Sequence, residues 1–320
     1  MVSAAPLPPA DAPREIVPTA SERASGAYAA ANLQRVLEGL HQDGLVVLKG
    51  VVDVGHVDAL NEYMGRFTDE IIEDRHGGAK YFNHGVQSNI LQTPPVTKQE
   101  LLFDDVYFNP FVIQVANAYL GHTPIWNFLT GNTALRNTSS LRQPVHKDSR
   151  FTHPTCPFYF IANVPLSDFS PANGSTEFWL GSHAHTTAAD QVVATAAQAG
   201  GKQREGQPTC NVRDDVREER RAVRPPVQAC AKRGDVMIRD LRTWHAGMPN
   251  PSEEHRIMIA LGYQAPWYQN HTLRLDLPLA QGNFFMAHAG RPVEVRANLL
   301  SDEETEARQH QDNFDFRPSV

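Results

Sequence analysis

The run Gly234-Asp235-Val236-Met237-Ile238-Arg239-Asp240-Leu241-Arg242-Thr243-Trp244-His245-Ala246-Gly247 leads into Met248-Pro249-Asn250-Pro251-Ser252, and the chain then continues as Arg256-Ile257-Met258-Ile259-Ala260-Leu261-Gly262-Tyr263. Two apolar runs separated by a Pro/Asn/Ser turn predict a β-hairpin. Alternation along the second run sets Arg256, Met258 and Ala260 on one face and Ile257, Ile259 and Leu261 on the other. If the isoleucines pack outward under flanking structure, Arg256 points into a barrel and His245 stands at the end of the preceding strand. A buried arginine is costly unless it is paired, so this arrangement asks for an anionic partner.

Working outward, further short apolar or aromatic runs occupy 125–136, 157–165 and 176–180, separated by Pro, Gly, Asn and Ser. That pattern predicts a mainly β fold, a double-stranded β-helix of the jelly-roll or cupin-like type. The residues before it read as flanking α-helices. One begins at Ser21 with Ala31, Leu33, Val36, Leu37 and Leu40 in register and stops before Gly44. Leu45-Val46-Val47-Leu48 is a buried strand, and helices follow over Val54 to Asp74 and after Asn109-Pro110. Residues 75–100 read as a polar surface loop. Residues 1–20, with Pro6, Pro8, Pro9, Pro13 and Pro18, read as a disordered tail. A single domain over 21–320 is expected: a helical part to 124, a jelly-roll core over 125–265, and an extension over 266–320. The stretch 184–225, rich in Ala, Gln, Arg and Glu, is expected as a partly helical insertion and, over the barrel mouth, as a lid. Ser301 caps a short polar helix.

A His-x-Asp pair on an extended segment places an imidazole and a carboxylate on one side, a natural metal clip. The chain contains it at His41/Asp43, His56/Asp58, His146/Asp148 and His310/Asp312. The His56 pair starts a helix, where residues two apart diverge by roughly 200°. The His41 pair ends one, and the His310 pair lies in a polar terminus. His146 and Asp148 alone fall among the barrel strands, with Pro144 biasing Gln143 toward extended backbone. A facial triad needs a second histidine from a distant strand, which His245 supplies. Arg256, matched in fork geometry to a carboxylate, suits a dicarboxylate cosubstrate.

With 29 Lys and Arg against 36 Asp and Glu, a net charge of −7 argues against a nucleic-acid surface. No run is long and apolar enough for a membrane span, and the N-terminus lacks a signal pattern. Cys156, Cys210 and Cys230 form no CxxC pair and suit a reducing compartment, so a cytoplasmic protein is expected.

Three blocks carry a family resemblance: Gln143 to Asp148, Asn173-Gly174-Ser175-Thr176 through Gly181-Ser182-His183, and Gly234 through Arg256, with eleven positions from His245 to Arg256. Over about Gly44 to Gln264 the sequence resembles the phytanoyl-CoA dioxygenase family of 2-oxoglutarate oxygenases. The resemblance implies an Fe(II)- and 2-oxoglutarate-dependent dioxygenase that consumes O2. Its iron ligands would be His146, Asp148 and His245, and Arg256 would bind the distal cosubstrate carboxylate. Gln143 and Thr176 would add hydrogen bonds to that cosubstrate, and His183 would be structural. Asp148 also sets the chain apart from halogenating relatives, which lack this carboxylate. The expected substrate is a largely apolar small molecule, a specialised metabolite, oxidised by hydroxylation, desaturation or a related step; an acyl-CoA or free acid is the alternative. A redox-neutral metal cupin or a non-catalytic jelly-roll module stays open, and a homodimer is compatible with the sequence. Phe151, Phe158, Tyr159, Phe160, Trp179, Trp244, Trp267 and Tyr268 cluster near the metal blocks, and a minority of them are expected to touch substrate.

Overall fold

A computed structural model describes residues 12–319 apart from 76, 84–87, 140–141, 199–203, 287–289 and 309–313. Its strands are β1 (Arg14–Ile16), β2 (Leu45–Leu48), β3 (Asn89–Gln92), β4 (Ile125–Ala134), β5 (Tyr159–Pro165), β6 (Glu177–Phe178), β7 (Gln191–Val193), β8 (Pro208–Val212), β9 (Val227–Gln228), β10 (Val236–Asp240), β11 (His245–Ala246) and β12 (Arg256–Gln264). The large sheet runs β1-β2-β10-β5-β12-β4, ends on Glu294–Val295, and carries β3 beside β4. A small sheet, β11-β6-β9, faces it. This is the mainly β jelly roll that the spacing of short runs predicts.

The expected hairpin does not form. β5 lies between β10 and β12, antiparallel to both. The break comes at Asp240, whose carboxylate accepts from the Arg242 backbone at 2.9 Å and pairs with its guanidinium at 2.8 Å, while Thr243 N–H donates to the Asp240 carbonyl at 3.0 Å. This turn carries the chain out of the large sheet and delivers His245 to the small one.

Helices cover the outer face. α1 (Ala20–Ser25) starts at a Thr19/Glu22 capping box, α2 (Ala30–Asp43) ends on Gly44 at φ 71°, and α3 (Val54–Ile72) starts at Asp53, which accepts from Gly55 and His56 N–H. The single helix expected from Ser21 is therefore two, parted by Gly26 at φ 67°. Val36, Leu40, Val57, Leu60 and Met64 join Ile257, Ile259 and Leu261 in the main core. Each such side chain, fully buried, contributes roughly 1.5–3 kcal/mol. Alternation in β2 sends Val46 and Leu48 to that core and Leu45 and Val47 inward, against Phe178 and Met237. Hence the odd-face residues of β12 are hidden under helices and Arg256 faces the interior.

Two loop assignments are corrected. Arg14–Ile16, read as part of a disordered 1–20, form β1 in parallel register with Val46–Leu48, and Ile16 is fully buried. Within 75–100, β3 pairs with β4 because Asn89 and Gln92 find partners in Thr133 and Thr68. The insertion holds the helix Asp214–Val223 but also the hairpin β7–β8. Ser301 caps Asp302–Ala307 as expected. Among the described residues no helix is long and apolar enough to cross a membrane.

Candidate active site

His146 and His245 are bound to each other through their backbones: His146 N–H donates to the His245 carbonyl at 2.9 Å and His245 N–H returns at 2.8 Å. Their side chains consequently project together, with ring centroids 4.2 Å apart. Each Nδ1 faces a carbonyl that can only accept, Pro144 at 2.9 Å and Thr243 at 3.1 Å. The proton therefore sits on Nδ1, and Nε2 presents a lone pair to a common point. Asp148 Oδ1 faces the same point, 3.9 Å from His146 Nε2 and 3.7 Å from His245 Nε2. All three donor atoms lie within 4.8 Å of one another. Donors of an ion bonded at about 2.1 Å stand roughly 3–4 Å apart, so two neutral imidazoles and one carboxylate fit a divalent transition metal.

The electrostatics keep Asp148 and His245 deprotonated. Burial would raise the Asp148 carboxyl, but the Arg239 guanidinium beside it outweighs this and holds it well below the usual carboxylate range. Burial, then the Arg239 charge, push His245 well down. Arg239 had no role in the sequence reading. Its guanidinium donates to Asp148 Oδ2 at 2.6 Å, leaving Oδ1 toward the imidazoles. The available signal was a charged residue inside an apolar strand with both faces covered.

Arg256 is 1% exposed, and among the described residues its Nε and Nη1 have no hydrogen-bond partner. The Phe169 ring lies 4.6 Å from the guanidinium carbon. Burial pushes it down to about 10. A guanidinium buried without a counter-charge, opening on the same cavity as the three donor atoms, fits the far end of a dicarboxylate. Gln143 and Thr176 line that cavity too, and Gln143 Oε1 accepts from Gly247 N–H at 2.8 Å, which leaves its amide NH2 to donate.

The other His-x-Asp pairs are otherwise engaged. Asp43 forms a buried ion pair with Arg224 at 2.7 Å, while His41 packs on Tyr119. His56 bonds Asp105 at 2.8 Å, and Asp58 pairs with Arg233 at 2.7 Å. His310 and Asp312 lie outside the described residues. His183 is buried against Gly44, apart from the donor cluster.

The sequence profile of the phytanoyl-CoA dioxygenase (PhyH) family matches residues 40–258. The chain belongs to this family. A curated relative, the iron/alpha-ketoglutarate-dependent dioxygenase ausO of Aspergillus calidoustus, is 23% identical over 220 residues, covering 65% of the chain and 60% of the relative's own length. Among solved structures, EctD from S. alaskensis, crystallised with 2-oxoglutarate and 5-hydroxyectoine, has a TM-score of 0.53 at 16% identity, covering 74% of this chain and 76% of its own. The epimerase SnoN, in complex with Fe3+, alpha ketoglutarate and nogalamycin RO, has a TM-score of 0.52 at 19% identity, covering 86% and 98%. These structures share the fold of this PhyH-family chain.

The cavity of the PhyH-family protein encloses about 310 Å³. Of the eight aromatic residues singled out above, Phe151 lines it; Phe158, Tyr159, Phe160, Trp179, Trp244 and Tyr268 are core and Trp267 is exposed. The aromatic wall comes instead from Phe128, Phe178, Phe314 and Phe316. Phe314 and Phe316 pack on Phe128 with ring centroids 5.0 and 5.3 Å away. Nothing in their sequence neighbourhood ties the last residues of the chain to the barrel, so this contact was invisible before folding.

Proposed function

We propose that this protein is an Fe(II)- and 2-oxoglutarate-dependent dioxygenase, an oxidoreductase acting on a largely apolar small molecule of specialised metabolism. In this reading His146, Asp148 and His245 hold the iron and Arg256 grips the distal carboxylate of 2-oxoglutarate, with Gln143 and Thr176 as further donors. The supporting observation is the fully buried Arg256 guanidinium, which has no carboxylate partner among the described residues and opens on the cavity of the His-Asp-His cluster. A redox-neutral metal cupin has no use for it. Iron held by His146, Asp148 and His245 would, together with 2-oxoglutarate and O2, supply the oxidant, the cosubstrate being converted to succinate and CO2.

The chain's own part is to position and to exclude water. The Pro144 and Thr243 carbonyls fix the imidazole tautomers, and Arg239 holds Asp148 to one free oxygen. Phe128, Phe151 and Phe316 offer an apolar substrate a dry surface. We read 184–225 as a lid, because Cys210 lines the cavity and Asn211 bridges to His146. The specialised-metabolite reading draws on SnoN, whose structure holds nogalamycin RO together with Fe3+ and alpha ketoglutarate.

The test is anaerobic titration with Fe(II) and 2-oxoglutarate, followed by the weak visible charge-transfer band of their complex, then succinate release in air. The wild type should show both, and His245→Ala neither. A band that survives in His245→Ala would refute the ligand assignment.

A further inference from the structure

The two ends of the cavity differ in charge. Arg256 lies opposite Ala134 on β4, whereas Arg239 lies opposite Ile161 on β5, which in turn faces Gly262 on β12. From Arg256 to Gly262 is six residues of extended strand, roughly 20 Å. A five-carbon diacid that runs from Arg256 to the donor cluster therefore fills the Arg256 end and stops short of the wall beyond Arg239. The remaining end is lined by Phe128, Phe151, Ile161, Phe314 and Phe316.

Charges balance around the first end. A divalent ion and Arg256 are matched by Asp148 and the two carboxylates of the cosubstrate. Arg239 is then in excess. It is 6% exposed; one arm holds Asp148 at 2.6 Å, and the other, Nη1, is buried with no hydrogen-bond partner among the described residues. A buried charged donor left unmade is costly, so this arm calls for an acceptor in the cavity. Arg150, two residues after Asp148, adds a second positive charge to the cavity wall. It has no ion pair among the described residues, and Asp315, the acid whose field it feels, is already bound by Arg317 at 3.0 and 2.5 Å.

We propose that Arg239 anchors a carboxylate subsite, and that the substrate is an apolar carboxylic acid. Its carboxylate accepts from Arg239 Nη1, Arg150 adds long-range attraction, and its hydrocarbon body rests on the phenylalanines. Because one guanidinium holds both Asp148 and the substrate, the carbons next to the acid lie nearest the metal cluster. This rests on the cosubstrate reading above.

The test uses the full chain loaded anaerobically with Fe(II) and 2-oxoglutarate. The probes are 4-phenylbutyrate and 4-phenylbutyramide, which differ in charge but scarcely in shape. Calorimetry and the shift of the visible band read their binding. The wild type should prefer the acid by about tenfold, the worth of one charge-assisted hydrogen bond. Arg239→Lys keeps a cation against Asp148 but loses the rigid planar fork that aims a second arm into the cavity; it should lose most of that preference. Arg150→Gln, which leaves the Arg239–Asp148 bond in place, should weaken the acid by about threefold and leave the amide unchanged. Equal binding of acid and amide by the wild type overturns the proposal, as does a preference retained in Arg239→Lys. If Arg239→Lys does not fold, the wild-type comparison and Arg150→Gln decide. A wild type that takes up neither iron nor 2-oxoglutarate refutes the preceding reading instead, whereas one that takes up both and ignores the carboxylate refutes this one alone.

Discussion

Replacing Arg256 by methionine should make the cosubstrate-free protein more stable and abolish its response to 2-oxoglutarate. Burial lowers the Arg256 guanidinium from its ordinary value to about 10, which is about 3 kcal/mol held against folding. The Phe169 face, 4.6 Å from the guanidinium carbon, returns about 1–2 kcal/mol. Methionine keeps the apolar stem and removes the charge, so the net gain is about 1–2 kcal/mol, in line with hydrophobic replacement of buried ions elsewhere. That corresponds to a rise of a few degrees in Tm. Loss of a bidentate carboxylate contact costs about 2–4 kcal/mol, a 30- to 1,000-fold weaker Kd for 2-oxoglutarate. Thermal melts with and without the cosubstrate read both effects on one sample. A variant that melts lower than wild type without 2-oxoglutarate, or that binds it within about threefold, would show that Arg256 has a partner inside the fold and no role as anchor.

Acid should destabilise the metal-free fold in a defined window. Burial, then the Lys147 charge, push His153 down to about 4, and burial lowers His183 and His255 as well. The unfolded chain takes up these protons near pH 6.5, so stability is intact above that pH and falls as pH drops from about 6.5 toward 4. His153 alone contributes about 2 kcal/mol of loss by pH 5, and melting His153→Gln across that range should show the slope reduced by that amount. Gly174→Ala should cost about 3 kcal/mol in urea unfolding. Gly174 has φ +71° and a Cβ there would stand 2.2 Å from the Pro249 carbonyl oxygen, combining left-handed strain with overlap against rigid backbone. The same variant should weaken 2-oxoglutarate binding if Thr176, two residues on, contributes to it. Asp43→Ala strips the counter-ion from buried Arg224 and should cost about 3–5 kcal/mol, most of it recovered when Arg224→Met is added.

The sequence made legible whatever local pattern determines. Alternation in Arg256–Leu261 oriented the arginine correctly, because the pleat allows only two faces and the isoleucines claimed one. Context sorted four His-x-Asp pairs because helix and strand geometry differ in where residues two apart point. The misses share another cause. The hairpin of β10 and β12 failed because sequence adjacency does not reveal a strand inserted between them from 70 residues earlier in the chain. β1 and β3 hide in Pro-rich and polar stretches, where pairing partners rather than apolar runs hold the strand. Most of the aromatic wall went unseen because nearness in sequence to His245 says little about nearness in space. Phe314 and Phe316 arrive from the opposite end of the chain.

The first imidazole is stitched on both sides. Its backbone trades hydrogen bonds with His245, while its neighbours trade theirs with β8: Val212 N–H donates to Val145 at 2.9 Å and Lys147 N–H to Cys210 at 3.1 Å. An ion pulling on His146 therefore pulls on the insertion as well, and the two should tighten and loosen as one unit. Stripping the ion with a chelator would then be felt as faster amide exchange in 208–212, a stretch that supplies no ligand at all. Crossing this seam, the insertion becomes a means of tuning how firmly the metal is held without altering a single donor atom.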